Sequence, residues 1–513
     1  MVFSLGVEHL TVTKVLDITE GRLGLQLSET TRNKVRTSNQ AVQNIASGDK
    51  AVYGINTGFG PLCTQKISAG DTSLLQRKLL LSHSVGVGEN IDPKIAKIML
   101  ILKAHALCQG FSGVSLDVVD RILWHIEKDI IPAVPEQGSV GASGDLAPLS
   151  HLFLPLINEG YVYINGELKE TASLKKKAID LGPKDGLALI NGTQFIAAHC
   201  VLLVDLFYRN LTHADLIGGI MVDALQASIM PFRKELHELR PFPGSVHVAS
   251  RIFSMLEGSE INDSHQNCSK VQDPYSIRCI PQVHGASRSS WLHLKEALEI
   301  EMNSVTDNPV VFSERFTISG GNFHGQPLAL PIDYACLANA ELGSISDRRM
   351  YLALEGKNDH VPKLLLKETG LNSGFMILQY TAAALASENK THCFPASADS
   401  IMTSLGQEDH VSMGSIGARK ALKVAKNTQK ILAIELLLAC QALDFQRPLK
   451  STQLVERLHA LVRSKIRHAT EDRLFAKDIK LALNILTNKE LINIEKEVNH
   501  DQYSEYHDLF EIY

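Results

Sequence analysis

The sequence predicts an all-α protein with a smaller N-terminal domain, residues 1–200, and a long, mostly antiparallel helical bundle over residues 201–513. Three observations carry that prediction. Apolar residues recur at helical spacing in unusually long stretches, from Gln326 to Leu354, Phe375 to Asn389 and Met413 to Leu443. The stripes are one-sided: Trp291, Leu294, Leu298 and Met302 share a face, and Glu296 and Glu299 fall off it. Strand signals are scarce, with one short β-hairpin from Tyr161 to Leu168 that turns on Asn165-Gly166 in type I′ geometry. Such lengths suit an extended bundle better than a compact globule. A change of texture near residue 200 sets the domain boundary, and neither an internal repeat nor a low-complexity linker interrupts the chain.

The 513 residues carry a net charge of -5 and a pI near 6.5. No basic stripe dominates any segment, which argues against nucleic acid and for a small molecule or another copy of the chain as partner. The stretch Met1 to His9 lacks the basic and apolar regions of a secretory signal. The longest apolar run, Ile431 to Cys440, is broken by Glu435 and too short to span a bilayer. No membrane partner is expected. Eight cysteines, Cys63, Cys108, Cys200, Cys268, Cys279, Cys336, Cys393 and Cys440, are scattered without CxxC spacing. That pattern fits a reducing cytoplasm, free thiols and no metal.

Taken in order, a short leader precedes a helix that begins at Thr30 to Lys34. The run Tyr53-Gly54-Ile55-Asn56-Thr57-Gly58-Phe59-Gly60-Pro61 is glycine-rich but lacks the Gly-Lys-Ser/Thr ending of a phosphate loop, so it reads as a shaped loop carrying Tyr53. Helices follow from Leu74 to His83, stopped by Gly86 and Gly88, from Pro93 to Cys108, and around Ile122, Trp124 and Ile126. Next comes Gly138-Ser139-Val140-Gly141-Ala142-Ser143-Gly144-Asp145-Leu146-Ala147-Pro148-Leu149, whose glycines permit a tight bend and whose Asp145 is placed to cap the next helix. After the hairpin, Lys175 to Lys177 reads as a solvated helix face. Gly186 to Ile190 then delivers Asn191-Gly192-Thr193-Gln194 to the start of a long apolar helix.

Two readings of Ala142-Ser143-Gly144 compete. In one it is a flexible turn. In the other, the Gly144 nitrogen attacks the Ala142 carbonyl carbon and closes a five-membered ring. Loss of water from the ring, and then of the Ser143 hydroxyl, leaves an exocyclic methylidene conjugated to the ring carbonyl. That group is an electrophile made without any external cofactor, and a helix N-terminus facing it would stabilise negative charge. Four further islands hold polar residues that a bundle does not need: the Tyr53 loop, Asn191 to Gln194, Val271 to Gly285, and Gln407 to Ser412. Singly, Asn191 reads as a cap, Arg278 as an ion-pair partner, Tyr53 as a core ring and Glu408 as a first-turn acid.

Together these islands and the glycine-rich stretch resemble the histidine ammonia-lyases, the prokaryotic-sized branch of the aromatic amino acid ammonia-lyase and aminomutase family. The resemblance runs from about Tyr53 to about Arg419. It rests on Gly141-Ala142-Ser143-Gly144-Asp145-Leu146-Ala147-Pro148-Leu149, Leu189-Ile190-Asn191-Gly192-Thr193-Gln194 and Gln272-Asp273-Pro274-Tyr275-Ser276-Ile277-Arg278-Cys279. It implies an aspartase/fumarase-like helical fold, a homotetramer with shared active sites, and removal of ammonia from L-histidine to give trans-urocanate. It also implies that Ala142, Ser143 and Gly144 form a methylidene-imidazolone (5-imidazolinone) group, with Ser143 dehydrated.

The same resemblance implies roles for other residues. Arg278 holds the substrate carboxylate as a bidentate fork. Asn191 and Gln272 hydrogen-bond to the carboxylate or the ring, and Phe323 packs beside it. Tyr53 and Tyr275 place hydroxyls near the reacting atoms, with Tyr53 and Glu408 both open as the β-proton base. His83, preceded by Ser82, and Glu408 address the two imidazole nitrogens; a buried carboxylate opposite a phenyl ring would be costly. Phe242 and Phe394 stand where histidine is common among relatives, and Asp347 where glutamate is. The residues from Ser451 to Tyr513, including Glu495, Glu497 and His500, match no usable motif. Two alternatives remain open at this point: a tyrosine ammonia-lyase or aminomutase, and a non-catalytic helical assembly protein whose tripeptide never matures.

Overall fold

A computed structural model of the protein describes residues 2–58, 60, 67–68, 70–265, 271–357, 360–498 and 503–513. Phe59, Pro61, Cys63, Cys268 and His500, named above, lie outside the described residues. The fold is helical. Its longest helices are Gln194–Ala224 and Gly414–Asp444, with 31 residues each, and Gln326–Leu354, with 29. The stripe expected over Trp291, Leu294, Leu298 and Met302 lies on helix Ile280–Met302, and all four side chains are buried.

The chain forms two compact units, each drawn from three segments. The first comprises Met1–Leu202, Leu294–Asp333 and Pro395–Arg419; the second comprises Leu203–His293, Tyr334–Phe394 and Lys420–Tyr513. The expected N-terminal domain, residues 1–200, falls within the first unit, which also takes residues 294–333 and 395–419 from within the expected 201–513 bundle.

In the first unit, helix Pro93–Leu107 begins where expected: Asp92 Oδ1 accepts from the Lys94 amide at 2.8 Å, and Pro93 occupies the first turn. It is buried along almost its whole length, and Lys103 is buried with it. Helices Thr72–His83 and Leu116–Glu127 also follow the apolar spacing. The predicted hairpin pairs Tyr161–Ile164 with Glu167–Glu170, and Asn165 and Gly166 adopt φ of +51° and +80°. A third strand, Ile131–Pro132, extends it.

Three further ladders have no counterpart in the sequence reading: Val2–Ser4 with Gly24–Gln26, Val87–Asn90 with Pro135–Gln137, and Val310–Ser313 with Phe316–Ile318. Strands this short hold too few residues for alternation to register. Lys175 to Lys177 is loop rather than helix. The chain leaves the turn Thr171–Leu174 with Lys175 at φ +51°, and Lys176 Nζ rests 4.3 Å over the Trp124 ring.

Among the described residues one helix, Gln194–Ala224, is long and apolar enough to cross a bilayer, and 89% of that helix's apolar window is buried inside the protein. Cys108, Cys200 and Cys440 are buried thiols, and burial pushes Cys108 and Cys440 up to about 12.

The second unit has an ionic interior. Arg349 meets Glu435 in a fork, Nε to Oε1 at 2.5 Å and Nη2 to Oε2 at 3.1 Å, with both side chains fully buried. Burial alone would raise the Asp215 carboxyl, but Arg288, His284 and Arg251 hold it well below the usual range. The C-terminal residues join this interior: Arg251 pairs with Glu495 at 2.5 Å and with Glu511 at 2.6 Å, and His247 reaches Glu511 at 2.8 Å. Glu497, in contrast, pairs at the surface with Arg457. Phe242 and Phe394 are exposed, whereas Asp347 is buried and accepts from Gln379 at 2.8 Å.

Removing one member of a buried fork strands the other charge. We therefore expect Arg349→Met to cost about 3–5 kcal/mol in chemical denaturation, and the double change Arg349→Met with Glu435→Leu to recover most of it. Equal stability of the single and double variants would contradict that account.

Candidate active site

The glycine-rich stretch bends sharply, as its composition allows. Gly141, Ser143 and Gly144 all have positive φ, +82°, +51° and +83°. Serine at positive φ is strained, and the surrounding structure must hold it there. Two contacts do so. A Cβ on Gly144 would lie 2.1 Å from the Gly192 carbonyl oxygen, so the two backbones touch and residue 144 must be glycine. The Gly192 N–H donates to the Ser143 carbonyl at 3.3 Å, and the Asp145 N–H donates to the Gly192 carbonyl at 2.8 Å. On the other flank, Ser412 Oγ would lie 2.2 Å from a Cβ on Gly141, and Ala142 packs with Val411 and Met413.

Asp145 differs from expectation. Its side chain makes no capping bond to its own helix, Leu146–Phe153. Oδ2 instead accepts from the Phe195 and Ile196 amides at 3.1 and 3.0 Å, capping helix Gln194–Ala224, and Oδ1 accepts from Ser139 Oγ at 3.1 Å. Burial raises this carboxyl to about 7 against those three donors. The bend and the Asn191–Gln194 loop are thus tied together twice, by backbone pairing and by a cap that crosses between segments.

Ser143 faces a cavity of about 480 Å³ that Tyr53, His83, Asn191 and Glu408 also line. Its hydroxyl donates to Glu408 Oε1 at 3.0 Å. The other carboxylate oxygen, Oε2, accepts from Thr403 Oγ1 at 3.0 Å and Ser404 Oγ at 2.6 Å, which fixes the group's orientation. Ser404 and Leu405 adopt φ of +49° and +54°, so the segment presenting Glu408 is itself under backbone strain.

His83 ends helix Thr72–His83, with Ser82 Oγ 3.0 Å from Nδ1. Burial lowers its pKa, while the Leu79 carbonyl and the Glu408 charge pull the other way. The lowered value favours the neutral imidazole, able to donate at one nitrogen and accept at the other. Tyr53 OH accepts from the Gly60 amide at 3.4 Å. Asn191 Nδ2 donates to the Leu187 carbonyl at 3.1 Å. Leu75, Leu79, Leu146, Leu187 and Ile190 supply apolar wall.

Other expected site residues lie elsewhere. Phe323 is half-buried and does not line the cavity; two residues on, Gly325 would place a Cβ 2.8 Å from Ser412 Oγ. Gln272, Tyr275 and Arg278 belong to the second unit. There Gln272 and Arg278 line a cavity of about 860 Å³. Arg278 Nε donates to the Asp273 carbonyl at 2.9 Å, and its guanidinium lies 4.5 Å over the Tyr275 ring, itself 70% exposed. The sequence reading missed Thr403 and Ser404 behind Glu408, and Lys103 behind Asn191. For Lys103 a signal existed: a lone lysine inside the apolar run Ile98 to Ala104.

Gly192 has φ +114°, and a Cβ there would meet Gln194 Oε1 and Thr306 Oγ1 at 2.6 Å. We expect Gly192→Ala to destabilise by about 1–3 kcal/mol or more, from strain and overpacking combined. A thermal melt of the variant matching the wild type would show that the loop can yield.

A family model described as aromatic amino acid lyase matches residues 10–464. The chain is 43% identical over 502 residues to a histidine ammonia-lyase of Idiomarina loihiensis, covering 96% of this chain and 98% of that protein. A histidine ammonia-lyase of Myxococcus xanthus is 43% identical over 491 residues, 94% and 96% of the two chains. Among solved structures, histidine ammonia-lyase from Trypanosoma cruzi superposes with a TM-score of 0.91 at 38% identity, covering 100% of this chain and 97% of that one. Tyrosine aminomutase from Streptomyces globisporus gives 0.92 at 32% identity, covering 98% and 100%. Backbone similarity therefore does not separate the two activities, and the pocket side chains must.

Proposed function

The chain belongs to the aromatic amino acid lyase family, and from that premise we propose that it deaminates L-histidine to trans-urocanate and ammonia. It is an ammonia-lyase, cleaving a carbon–nitrogen bond. The observation that carries the substrate is Glu408 in the same cavity as His83 and Ser143. A carboxylate held there by two hydroxyls suits an imidazole N–H and would face a phenyl or phenol ring at a desolvation cost. That cost disfavours a tyrosine-directed reaction, despite the similar fold.

The bend fits a cyclised tripeptide. Positive φ at Ser143 bends the chain at the one residue whose φ and ψ govern approach of the Gly144 nitrogen to the Ala142 carbonyl carbon, and the packing of Gly144 on Gly192 holds that bend. Dehydrated and cyclised, Ala142-Ser143-Gly144 would supply an electrophile that makes the substrate amine a better leaving group, with no external cofactor. The chain's own residues do the rest. His83 and Glu408 orient the imidazole, Asn191 hydrogen-bonds within the site, and either Tyr53 or Glu408 takes the β-proton.

Arg278, Gln272 and Tyr275 complete the reading if they come from a neighbouring copy in a homotetramer, where Arg278 would clamp the carboxylate. The exposure of Tyr275 and Gln272 in a single chain supports that placement. Phe323 would serve by packing near the bend. A cytoplasmic location suits buried thiols and a small polar substrate.

Incubation with L-histidine tests the reading directly. Urocanate absorbance is the expected result; coumarate from tyrosine as the main product would overturn the substrate assignment.

A further inference from the structure

Behind the Asn191–Gln194 loop lies a lysine that the proposed chemistry leaves unused. Lys103 is 2% exposed. Its ammonium donates to the Asn191 carbonyl and, at 3.4 Å, to Gln194 Oε1. A buried ammonium is costly, and burial lowers Lys103 to about 7 against the pull of the Asp307 charge, so the charged form predominates below that pH and the assays that follow belong at about pH 6. Asp307 itself is paired with Lys184 at 2.6 Å. A core position that needed only a filled volume would take leucine or methionine at no such cost.

The acceptor explains the expense. The Asn191 carbonyl belongs to the peptide whose N–H is that of Gly192, and this N–H donates to the Ser143 carbonyl at 3.3 Å. In a planar trans peptide the C=O and N–H point in opposite directions, so a cation on the oxygen withdraws electrons from the nitrogen and strengthens the N–H as a donor. The loop is held at its next carbonyl too, because Gly192 O accepts from the Asp145 amide at 2.8 Å, and Thr306 and Gln194 leave no room for a Cβ at residue 192.

The Ser143 carbonyl is the one that a dehydrated Ser143 would be conjugated to. When a nucleophile bonds to the exocyclic carbon, the π electron pair moves toward the carbonyl and negative charge grows on its oxygen. We infer that Lys103 is a positioning residue that polarises the Asn191–Gly192 peptide, turning the Gly192 N–H into a charge-stabilising donor for the Ser143 carbonyl oxygen. Lys103 does not line the Ser143 cavity, and its proposed role transfers no proton. The inference rests on the cyclised-tripeptide reading above, and it adds a source for the polarisation.

The test compares the full-length protein with Lys103→Met, Lys103→Gln and Lys103→Arg. Glutamine keeps a donor without charge and replaces methionine if that variant fails to fold; arginine keeps the charge. Intact mass comes first. If the wild type is not lighter than its sequence by two waters, the ring reading itself fails, independently of Lys103.

In a matured wild type, addition of 2-mercaptoethanol is followed as loss of the ring's ultraviolet absorbance. We expect the uncharged variants to add the thiol about ten-fold more slowly, short of the 10²–10³ lost when such a donor is deleted outright. Their kcat for histidine should fall in parallel with KM unchanged, and Lys103→Arg should restore most of both. Uncharged variants arrested before dehydration while Lys103→Arg matures would also support the inference, because the same carbonyl acidifies the Ser143 Cα–H that must be lost with the hydroxyl. An uncharged variant that matures and adds thiol at the wild-type rate overturns it. So does failure of all three variants to mature, which would assign Lys103 to packing.

Discussion

Replacing Ser143 with alanine is expected to lower histidine turnover by at least about 10³-fold, ~4 kcal/mol of barrier, while leaving the protein folded. Alanine removes one oxygen atom and adds no bulk. The tight contacts of the bend, Gly144 on Gly192 and Gly141 on Ser412, do not involve that oxygen. The melting temperature should therefore change little. What changes is covalent: with no hydroxyl to expel, the variant's intact mass should lie at its sequence value or one water below it, and never two. A variant that turned over histidine like the wild type with an undehydrated mass would end the proposed chemistry altogether.

Glu408→Gln should produce the second large effect, a fall in kcat for histidine of about 10²–10³-fold, the range lost when a positioned acid or base is removed. The substitution preserves shape. Thr403 and Ser404 can still hold one end of the side chain, and Ser143 can still donate to the amide oxygen. The variant should therefore mature, with intact mass two waters below its sequence value. Loss of the charge removes the partner for an imidazole N–H and one of the influences that raise the His83 pKa, so that ring should titrate still lower. Wild-type histidine turnover in this variant would remove the main support for the substrate assignment. The two variants therefore separate formation of the electrophile from recognition of the substrate.

Much of this was legible in the amino-acid order, for definite reasons. Helix positions followed from one-sided apolar spacing, as with Trp291, Leu294, Leu298 and Met302, because burial acts on each turn alike. The hairpin followed from Asn165-Gly166, since few residues other than these accept the required φ. Ser143, His83, Asn191 and Glu408 were named from motifs, and the fold brings these four to one cavity.

What stayed hidden depends on partners remote in sequence. Asp145 precedes a helix and so reads as its cap; only the three-dimensional placement of Phe195 and Ile196 shows which helix it serves. Thr403 and Ser404 have no pattern that links them to Glu408. Short ladders such as Val310–Ser313 with Phe316–Ile318 carry too few residues to alternate visibly. The interleaving of the two units, each drawn from three segments, leaves no compositional trace at its boundaries.

The pairing of Gly144 with Gly192 has a consequence in time. Residues 142–144 are pressed into their bend by a loop almost fifty positions further along the chain, by Ser412 later still, and by a cap that needs the start of helix Gln194–Ala224 in place. A nascent or unfolded chain has none of these, and its Ala-Ser-Gly is an ordinary flexible tripeptide. On the reading proposed here, maturation would wait for folding: the reactive group would arise only inside a finished cavity, and misfolded copies would remain chemically inert.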